Sequence, residues 1–575
     1  MALSRSLCFK HGRLKVRTTE EQAEEKRKER ENKMKICLAS KEACFEKRKS
    51  NVLDEEGLEL TKQLLGGNPD FATLWNFRRE IFQHFEKEKS PEELQALLEK
   101  ELSFLEACLR VNPKSYGTWY HRGWVLDHMP SPDWARELEL CNKLLQQDER
   151  NFHCWDYRRL IVSRSEVSCS EELEFTFKLI SSNFSNYSSW HYRSTLLPRV
   201  HPDTCQGASR AHEGVLLTEY ELVRNAFFTD PNDQSAWFYY RWLLGRADRE
   251  ETVSCLYVSR EGQRLVLSFS RPVNVLSPSA ELVLFVDSLP LMVKWRTSHP
   301  KLKHSALWIC DLPTGTINEA CSEHSFKIHW RNGVVQRECV LYRGRSESWC
   351  RDSATDQQLF RSDLSVEKST VLQSELDSCT QLQEMEPENK WCVLTIILLM
   401  RALDPLGYEK DTLQYFKTLK AADPMRSAYF DDLRSKFVIE NAILKMEYAE
   451  TRVVDLSKKD VTALYHLDQL LLVTHMNLSS NRLRSLTAQV SMLQCLEVLE
   501  ADDNMLEDVE GLCGLPRLEE VSLRNNCIAK IADLRPLASC PKLAILNLQG
   551  NPVTKVTDFQ SELALLLPGV KDLIA

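Results

Sequence analysis

Residues with catalytic side chains are scattered through this sequence and are not grouped at the spacings of known sites. The chain contains 14 histidines and 19 cysteines, but no Cys-x-x-Cys pair and no His-Glu-x-x-His motif. His121 and His128 lie seven residues apart without an acidic or cysteine ligand at regular spacing. Gly-rich phosphate loops and Gly-x-Ser-x-Gly elbows are absent as well. The sequence therefore offers no metal site and no nucleophile with its base, which argues against a single-chain hydrolase.

One short segment places a cation and a phenol where a helix is expected to begin. Lys114 and Tyr116 follow Asn112-Pro113. Asn followed by Pro is typical of a helix start, because the Asn side chain caps free N–H groups and proline has none. The unpaired N–H groups of such a start favour an anion. The residues alone therefore predict a helix start at this segment, with Lys114 as a solvated surface lysine.

This segment is one copy of a pattern that occurs five times in the first 250 residues. In each copy an Asn or Asp precedes a Trp by seven residues, and in four copies an Arg follows the Trp by three. The copies are Asn68 to Trp75 with Arg78, Asn112 to Trp119 with Arg122, Asp148 to Trp155 with Arg158, Asn183 to Trp190 with Arg193, and Asp230 to Trp237 with Tyr240 and Arg241. Steps of 44, 36, 35 and 47 residues between the tryptophans suit one helix pair per copy. The pattern predicts stacked helical hairpins.

The tryptophan and arginine of each copy are expected to serve the architecture. Residues three apart share one face of a helix. An indole buries a large area between neighbouring helices, and a guanidinium can hold loop carbonyls or a carboxylate from the next repeat. We therefore interpret all ten residues as structural.

Two further patterns follow these repeats. Between residues 251 and 346, short apolar or alternating segments recur every 10–15 residues, which predicts an inserted Ig-like antiparallel β-sandwich. In the last 125 residues, asparagines at positions 481, 504, 526 and 551 are 23, 22 and 25 residues apart, a spacing typical of leucine-rich repeats. Between these regions, Glu384 to Trp391 keeps the seven-residue interval without the Arg, and we interpret it as a decayed sixth repeat.

The predicted fold is mainly α, a crescent of stacked helical hairpins with an inserted β-sandwich and a C-terminal leucine-rich repeat domain. The predicted boundaries are an N-terminal extension over residues 1–10, repeats one to five over 11–250, the β-sandwich over 251–346, the continued helical domain over 347–447 and the leucine-rich domain over 448–575.

Composition narrows the possible partners and the compartment. Lys plus Arg total 74 against 83 Asp plus Glu, a net charge of −9, so no overall basic field favours nucleic acid. An odd number of cysteines spread along the chain is typical of reduced thiols in a cytoplasmic protein. The longest apolar run, residues 393–400, is too short to span a membrane.

The repeats, illustrated by Asn112 to Arg122 and by Asn183 to Arg193, resemble those of protein prenyltransferase alpha subunits. With the β-sandwich and the leucine-rich domain, the chain resembles the Rab-directed animal branch of this family from His11 onward. The resemblance implies a subunit that is active only in a heterodimer with a beta subunit, which would hold zinc and the lipid. The heterodimer would transfer geranylgeranyl from geranylgeranyl diphosphate to C-terminal cysteines of Rab GTPases presented by an escort protein.

The same resemblance implies three diphosphate-facing residues in this chain. Lys114 and Tyr116 match the lysine and tyrosine that the family uses in one repeat, and His153 matches the histidine of a Tyr-His pair in the next. Phe152 stands where that pair has its tyrosine, so one hydroxyl is missing. The alternative function is a non-catalytic adaptor that gathers proteins on its helical and leucine-rich repeats. The lysine two residues before a tyrosine favours the enzyme.

Overall fold

The computed structural model describes residues 20–202, 213–244, 251–277, 281–331, 333–351, 369–446 and 452–575. The predicted extension over residues 1–10 lies outside these ranges. The chain forms two compact units, Met1–Leu216 and Leu217–Ala575.

Helical hairpins make up the first unit. Its helices are α1 (Glu20–Lys49), α2 (Glu55–Gly67), α3 (Ala72–Glu88), α4 (Pro91–Val111), α5 (Tyr116–His128), α6 (Trp134–Gln147), α7 (Phe152–Arg164), α8 (Cys169–Ser182) and α9 (Tyr187–Val200). The second helix of each hairpin carries the repeat tryptophan, in α3, α5, α7 and α9. The prediction of one helix pair per copy is confirmed for these repeats.

The Asn or Asp of each repeat ends a helix and does not start one. Asn112 is the C-cap of α4, and its side-chain oxygen accepts the backbone N–H of Lys114 at 3.0 Å. The next helix is capped by Ser115, whose hydroxyl accepts the Thr118 N–H at 3.4 Å. The prediction that Asn112-Pro113 begins a helix is therefore wrong. The Asn closes a local turn onto its own loop, and the helix starts beyond it.

A hydrogen bond explains the seven-residue interval between that Asn or Asp and the Trp. Each indole N–H donates to the carbonyl of the residue directly after the Asn or Asp. The bonds join Trp75 to Pro69, Trp119 to Pro113, Trp155 to Glu149, Trp190 to Phe184 and Trp237 to Pro231, at 2.7–2.8 Å. A buried indole N–H needs an acceptor, so this interval lets the ring pack between helices and tie down its own loop.

The second unit combines helices with two kinds of β-structure. Its helices are α10 (Glu213–Thr229, which crosses the boundary), α11 (Gln234–Leu244), α12 (Ser369–Met385), α13 (Lys390–Leu403), α14 (Glu409–Ala422), α15 (Ser427–Lys445) and α16 (Phe559–Leu566). Short 3₁₀ segments occur at Pro424–Arg426, Leu467–Leu470, Ala488–Met492, Ile531–Ser539 and Pro552–Lys555.

The hairpin of α12 and α13 repeats the contacts of the hairpin of α6 and α7. Asn389 and Asn151 cap α13 and α7. Each side-chain amide donates to a proline carbonyl in the loop of the preceding repeat, at 2.6 Å and 2.9 Å. Three residues after each cap, the thiol of Cys392 or Cys154 lies against a carbonyl of the helix before it. The α12–α13 pair is thus a sixth hairpin of the same kind.

This equivalence corrects the predicted register of the sixth repeat. Trp155 lies four residues after its cap, and the residue four after the cap Asn389 is Val393. The interval from Glu384 to Trp391 is therefore two residues out of register. A fully buried valine takes the place of the indole, which a search for the tryptophan pattern could not detect.

The inserted domain is a β-sandwich, as predicted. Its strands are β1 (Val253–Ser259), β2 (Arg264–Val273), β3 (Leu282–Val286), β4 (Leu289–Leu291), β5 (Trp295–Thr297), β6 (Ser305–Asp311), β7 (Glu323–Trp330), β8 (Val335–Tyr342) and β9 (Glu347–Arg351). Antiparallel pairing gives sheets of order β5-β6-β2-β1-β9 and β4-β3-β7-β8. Trp308, Phe326 and Trp330 are buried in the core between them.

The C-terminal domain is a leucine-rich repeat fold, again as predicted. Short parallel strands pair in chain order, β10 (Val453–Asp455), β11 (His475–Asn477), β12 (Val498–Glu500), β13 (Glu520–Ser522), β14 (Ile545–Asn547) and β15 (Asp572–Ile574). The repeat asparagines satisfy the loops beside these strands. Asn504, for example, donates to the Leu478 carbonyl at 3.0 Å and accepts the Leu483 N–H at 3.0 Å. The fold class is confirmed, whereas the predicted domain boundaries stay a prediction, and the one at 447/448 lies outside the described residues.

One sheet of the sandwich packs against the leucine-rich domain. Outward-facing side chains of β1, β2 and β6 share an apolar cluster with side chains of that domain. Its members are Cys255, Tyr257, Val266, Leu307, Ile309, Leu471, Leu472, Met492 and Cys495. At its edge Glu347 accepts hydrogen bonds from Tyr257 at 2.8 Å and Arg452 at 2.6 Å. The sandwich and the leucine-rich domain therefore share a core.

We expect Ile309→Lys to destabilise both domains at once. Ile309 is 1% exposed in the shared cluster, and an unpaired buried charge costs about 3–5 kcal/mol. Hydrogen exchange should speed up in β6 and also in residues 488–496. The control is Val283→Lys on the other sheet, where the side chain is 38% exposed and neither segment should change. Faster exchange confined to the sandwich would contradict a shared core.

Candidate functional site

Two successive repeats bring the predicted diphosphate-facing residues to neighbouring helix starts. Lys114 lies in the loop between α4 and α5, and Tyr116 is the first residue of α5. His153 is the second residue of α7, and α7 packs against α5. Residues that are far apart in sequence thus meet through the stacking of hairpins.

Aromatic contacts define the geometry of this face. The rings of Tyr116 and His153 meet edge to face, with centroids 4.3 Å apart and an interplanar angle of 87°. The ring of Phe152 lies 6.3 Å from that of Tyr116. Tyr116 is 71% exposed, whereas His153 is 6% exposed. The buried imidazole supports a phenol that reaches into solvent.

Lys114 is held from two sides. Its backbone N–H is used by Asn112 in the loop turn, so it is not one of the free helix N–H groups that the sequence suggested. Its ammonium lies 3.5 Å from a carboxylate oxygen of Asp148, which begins the loop of the next repeat. Both side chains of this pair are partly exposed. An anion could therefore contact the partly exposed ammonium of Lys114, whereas the backbone N–H of Lys114 is already hydrogen-bonded.

Burial favours the neutral form of the His153 imidazole. The pKa of His153 is lowered from its usual value chiefly by burial, with a further lowering from Lys114 and an opposing effect of Asp156. A neutral imidazole can donate or accept one hydrogen bond. The ammonium of Lys114 and the phenol of Tyr116 are thus exposed to solvent, and the buried imidazole of His153 packs against the Tyr116 ring. Phe152 adds an apolar ring to this face and contributes no hydroxyl.

The structure reveals carboxylates that the sequence analysis missed. Arg78, Arg122 and Arg158 each reach a buried glutamate on the first helix of the next hairpin. Arg122 binds Glu137 through two bonds of 2.7 and 2.6 Å, and Arg158 binds Glu172 at 2.8 and 2.5 Å. The arginines also reach back to carbonyls of the preceding helix, as Arg122 does to Leu102 at 2.9 Å. The carboxylate from the next repeat that the sequence analysis expected is therefore present, whereas the carbonyl acceptors of Arg78 and Arg122 lie within helices and not in loops.

In the second and third repeats a further side chain contacts the same glutamates. His121 lies 2.9 Å from Glu101, and the hydroxyl of Tyr157 donates to Glu137 at 2.6 Å. Glu101 also accepts the Nε–H of Arg78 at 2.8 Å. The signal for this second residue is a His or Tyr between the Trp and the Arg, two residues after the Trp. It recurs at positions 121, 157, 192 and 239.

In the fifth repeat a tyrosine takes the place of the arginine. Tyr240 stands three residues after Trp237, and its hydroxyl donates to Glu375 on α12 at 2.5 Å. Arg241 lies beside it and places its guanidinium 5.4 Å from the ring of Trp391. The hydrogen bond from one hairpin to a glutamate of the next is thus kept, with a neutral hydroxyl as the donor.

Neither a metal centre nor a membrane segment is found within the described ranges. No three or more His, Cys, Asp or Glu side chains come together there in a way that could hold a metal ion. None of the helices in these ranges combines the length and the apolar character of a membrane-spanning segment.

Models of known families match three parts of the chain. The model described as protein prenyltransferase alpha subunit repeat matches residues 54–85, 98–129, 134–165, 169–200 and 216–247. The model described as Rab geranylgeranyl transferase alpha-subunit, insert domain, matches residues 253–354. A leucine-rich repeat model matches residues 438–573.

Whole proteins of one name are similar to this chain. The geranylgeranyl transferase type-2 subunits alpha of Bos taurus and Homo sapiens are each 61% identical to it over 565 residues, which cover 98% of this chain and 100% of each relative. The protein of the same name from Saccharomyces cerevisiae is 34% identical over 292 residues, which cover 48% of this chain and 87% of that relative.

The buried Arg122–Glu137 pair predicts a large stability loss when one partner is removed. Glu137→Ala would leave a fully buried guanidinium with the more distant carboxylate of Glu106, at 3.6 Å, as its remaining ion-pair partner, so we expect the free energy of unfolding to fall by about 3 kcal/mol, the lower end of the range for breaking a buried pair. Glu139→Ala is the matched control on the same helix, because Glu139 pairs with Lys143 in solvent and should change stability by about 0.5 kcal/mol or less. Equal losses in chemical denaturation would contradict this difference.

The carboxylate of Glu101 predicts a stability effect that depends on pH. Burial alone would raise the pKa of Glu101, but Arg78 and His121 lower it from 4.5 to about 2. The ionised form therefore stabilises the fold at pH above about 4.5, by roughly 3 kcal/mol, and this stabilisation is lost as the pH falls toward 2.

Glu101→Gln should accordingly lower the thermal unfolding midpoint at neutral pH, and the difference from the unaltered chain should narrow between pH 4.5 and pH 2. Glu99→Gln, at an exposed position of the same helix, is the control and should show no such trend. A constant difference at all pH values would mean that the charge of Glu101 is not what stabilises the fold.

Proposed function

We infer the function from family membership: the chain belongs to the geranylgeranyl transferase type-2 alpha subunits. It is the alpha subunit of a protein geranylgeranyltransferase. Sixty-one per cent identity across 98% of the chain is the observation that carries this conclusion. The repeats, the insert and the leucine-rich domain all have their counterparts in the matched family models.

The proposed reaction joins a cysteine thiolate to geranylgeranyl diphosphate. A carbon–sulfur bond forms, the bond between the first lipid carbon and the diphosphate oxygen breaks, and diphosphate leaves with the bonding electrons. The proposed acceptors are C-terminal cysteines of Rab GTPases, presented by an escort protein in the cytoplasm. The match of residues 253–354 to an insert domain named for Rab geranylgeranyl transferase supports this choice of acceptor.

The proposed partner is a prenyltransferase beta subunit. The relatives are named as subunits, and this chain exposes aromatic rings on successive helix starts, at Tyr116, Tyr120, Phe152 and Tyr187. Exposed aromatic side chains in a row are typical of an interaction surface. We propose that the beta subunit covers this face and brings the lipid to it.

Zinc belongs to the beta subunit in this proposal. The metal would hold the acceptor cysteine as a thiolate, which is the nucleophilic form. The described residues of this chain contain no set of three ligands that fits zinc, so we assign to this chain no step that passes through the metal.

The proposed contribution of this chain to the chemistry is electrostatic. Negative charge grows on the diphosphate as the carbon–oxygen bond breaks, and a fixed cation stabilises that state more than the ground state. Lys114 supplies the cation and Tyr116 a hydroxyl donor, while His153 supports Tyr116 at 4.3 Å. Lys114 is half exposed and half covered, which leaves its charge accessible to a ligand.

The insert and the leucine-rich domain have a separate role in this proposal. The yeast relative carries the same name, although 292 residues make up 87% of it, so it is far shorter than this chain. The type-2 alpha subunit function therefore does not require a chain of this length. We assign protein gathering to the shared unit of sandwich and leucine-rich domain, and prenyl transfer to the helical repeats.

Lys114→Ala tests the proposed site. In the complex with the beta subunit, single-turnover prenyl transfer should fall by about 10–1,000-fold, the range for losing one preorganised electrostatic contact. The affinity for geranylgeranyl diphosphate should change less, because the contact strengthens as the leaving group gains charge.

Lys143→Ala provides the control, since Lys143 is an exposed lysine on α6 that pairs only with Glu139. This variant should transfer the lipid at the normal rate. If Lys114→Ala also turns over normally in a correctly assembled complex, Lys114 is a surface charge and the diphosphate site lies elsewhere.

A further inference from the structure

In three repeat loops the first residue contacts the loop before it. Asn112 donates through its amide to the carboxylate of Asp70 at 2.9 Å, and Asn183 donates to that of Glu149 at 2.8 Å. In both cases an amide of one loop binds an acid of the preceding loop. This lateral contact links successive helix starts on the face that carries Tyr116.

The third loop reverses the chemistry of this contact. Its first residue is Asp148, an acid, and the partner in the preceding loop is the cation Lys114, at 3.5 Å. One carboxylate oxygen of Asp148 accepts the Arg150 N–H at 3.1 Å, which fixes the group in its loop. The other oxygen is the one that faces the ammonium. The carboxylate is thus anchored by the backbone and directed at Lys114.

We propose that Asp148 is a positioning residue for Lys114, an inference that rests on the diphosphate site proposed above. A lysine side chain has four rotatable bonds, and fixing them for one contact costs conformational entropy. Asp148 restrains the ammonium, whose charge acts on His153, before the lipid diphosphate arrives. Asp148 itself touches neither reacting atom.

The charges around Lys114 determine how loss of the Asp148 charge should affect lipid binding and prenyl transfer. Asp148 is an anion beside an anion site, so it opposes ground-state binding of diphosphate. Asp156 from α7 is a further charge near His153, and Arg150 contacts Asp148 through its backbone N–H. Loss of the Asp148 charge should therefore leave lipid binding as tight as before or tighter, while transfer slows because the cation is less ordered.

Asp148→Asn is the informative variant, because Asn occupies the same loop position at residues 68, 112 and 183. There its side-chain oxygen makes the same turn, so the fold is kept and only the charge is lost. In the complex with the beta subunit, single-turnover transfer should fall by about two- to fivefold, within the range for a partly exposed ion pair. The affinity for geranylgeranyl diphosphate should not weaken.

A double-mutant cycle with Lys114→Met separates positioning from an independent effect. In the Lys114→Met background, Asp148→Asn should not slow transfer further, because there is no ammonium left to position. Raising the salt concentration from about 0.05 M to about 1 M screens exposed charge pairs. The difference in transfer rate between the unaltered chain and Asp148→Asn should therefore be smaller at the higher salt concentration.

The outcomes distinguish this inference from the proposal on which it rests. If Lys114→Met slows transfer but the two substitutions act additively, Asp148 does not work through Lys114 and the inference is wrong. An Asp148→Asn variant that transfers at the normal rate, beside a slow Lys114→Met variant, would reduce Asp148 to a turn residue. If Lys114→Met itself transfers at the normal rate, the proposed diphosphate site is wrong, and the inference about Asp148 is wrong with it.

Discussion

Buried arginine–glutamate pairs hold successive hairpins together, and the rest of each repeat is arranged to make those pairs possible. A guanidinium as deep as that of Arg122 would be costly without the carboxylate of Glu137, and the reverse is equally true. The pair forms only if the helix start before it is fixed, since Arg122 lies one turn beyond Trp119. The indole hydrogen bond to the loop carbonyl supplies that fixed point. Loop, indole and ion pair therefore depend on one another.

Sequence reasoning identified the residue types of this arrangement that are rare in proteins, such as tryptophan, and missed a common type, glutamate. Tryptophan at a regular interval is conspicuous, whereas glutamate is frequent on helix surfaces. The separations of Arg78, Arg122 and Arg158 from their glutamates are 23, 15 and 14 residues, so no fixed spacing reveals the pairs. The loop Asn was assigned to the wrong helix for a related reason. Asn can cap a helix start or close a turn after a helix end, and local sequence does not distinguish the two.

The candidate site was accessible from sequence only through family resemblance. Lys114 and Tyr116 are neighbours in the chain, but their meeting with His153 depends on how α5 packs against α7, which is a property of the stack. The ion pair with Asp148 depends on the same packing. The absence of a hydroxyl at Phe152, by contrast, is visible in the sequence alone. Local patterns thus identify which side chains are present, and the stacking of repeats determines which of them meet.

The fifth repeat shows how a helical array can carry a foreign domain. The sandwich lies in sequence between α11 and α12, while Tyr240 on α11 and Glu375 on α12 keep these two helices in contact. A repeat contacts mainly its neighbours, and the entropy of closing a loop grows with the logarithm of its length, each doubling adding about 0.6 kcal/mol. The length of the inserted segment therefore has little effect on stability, provided that α11 and α12 remain in contact. We call this contact between the two helices the joint. Such a joint is a position at which whole domains can be gained, lost or exchanged in evolution without redesign of the helices on either side.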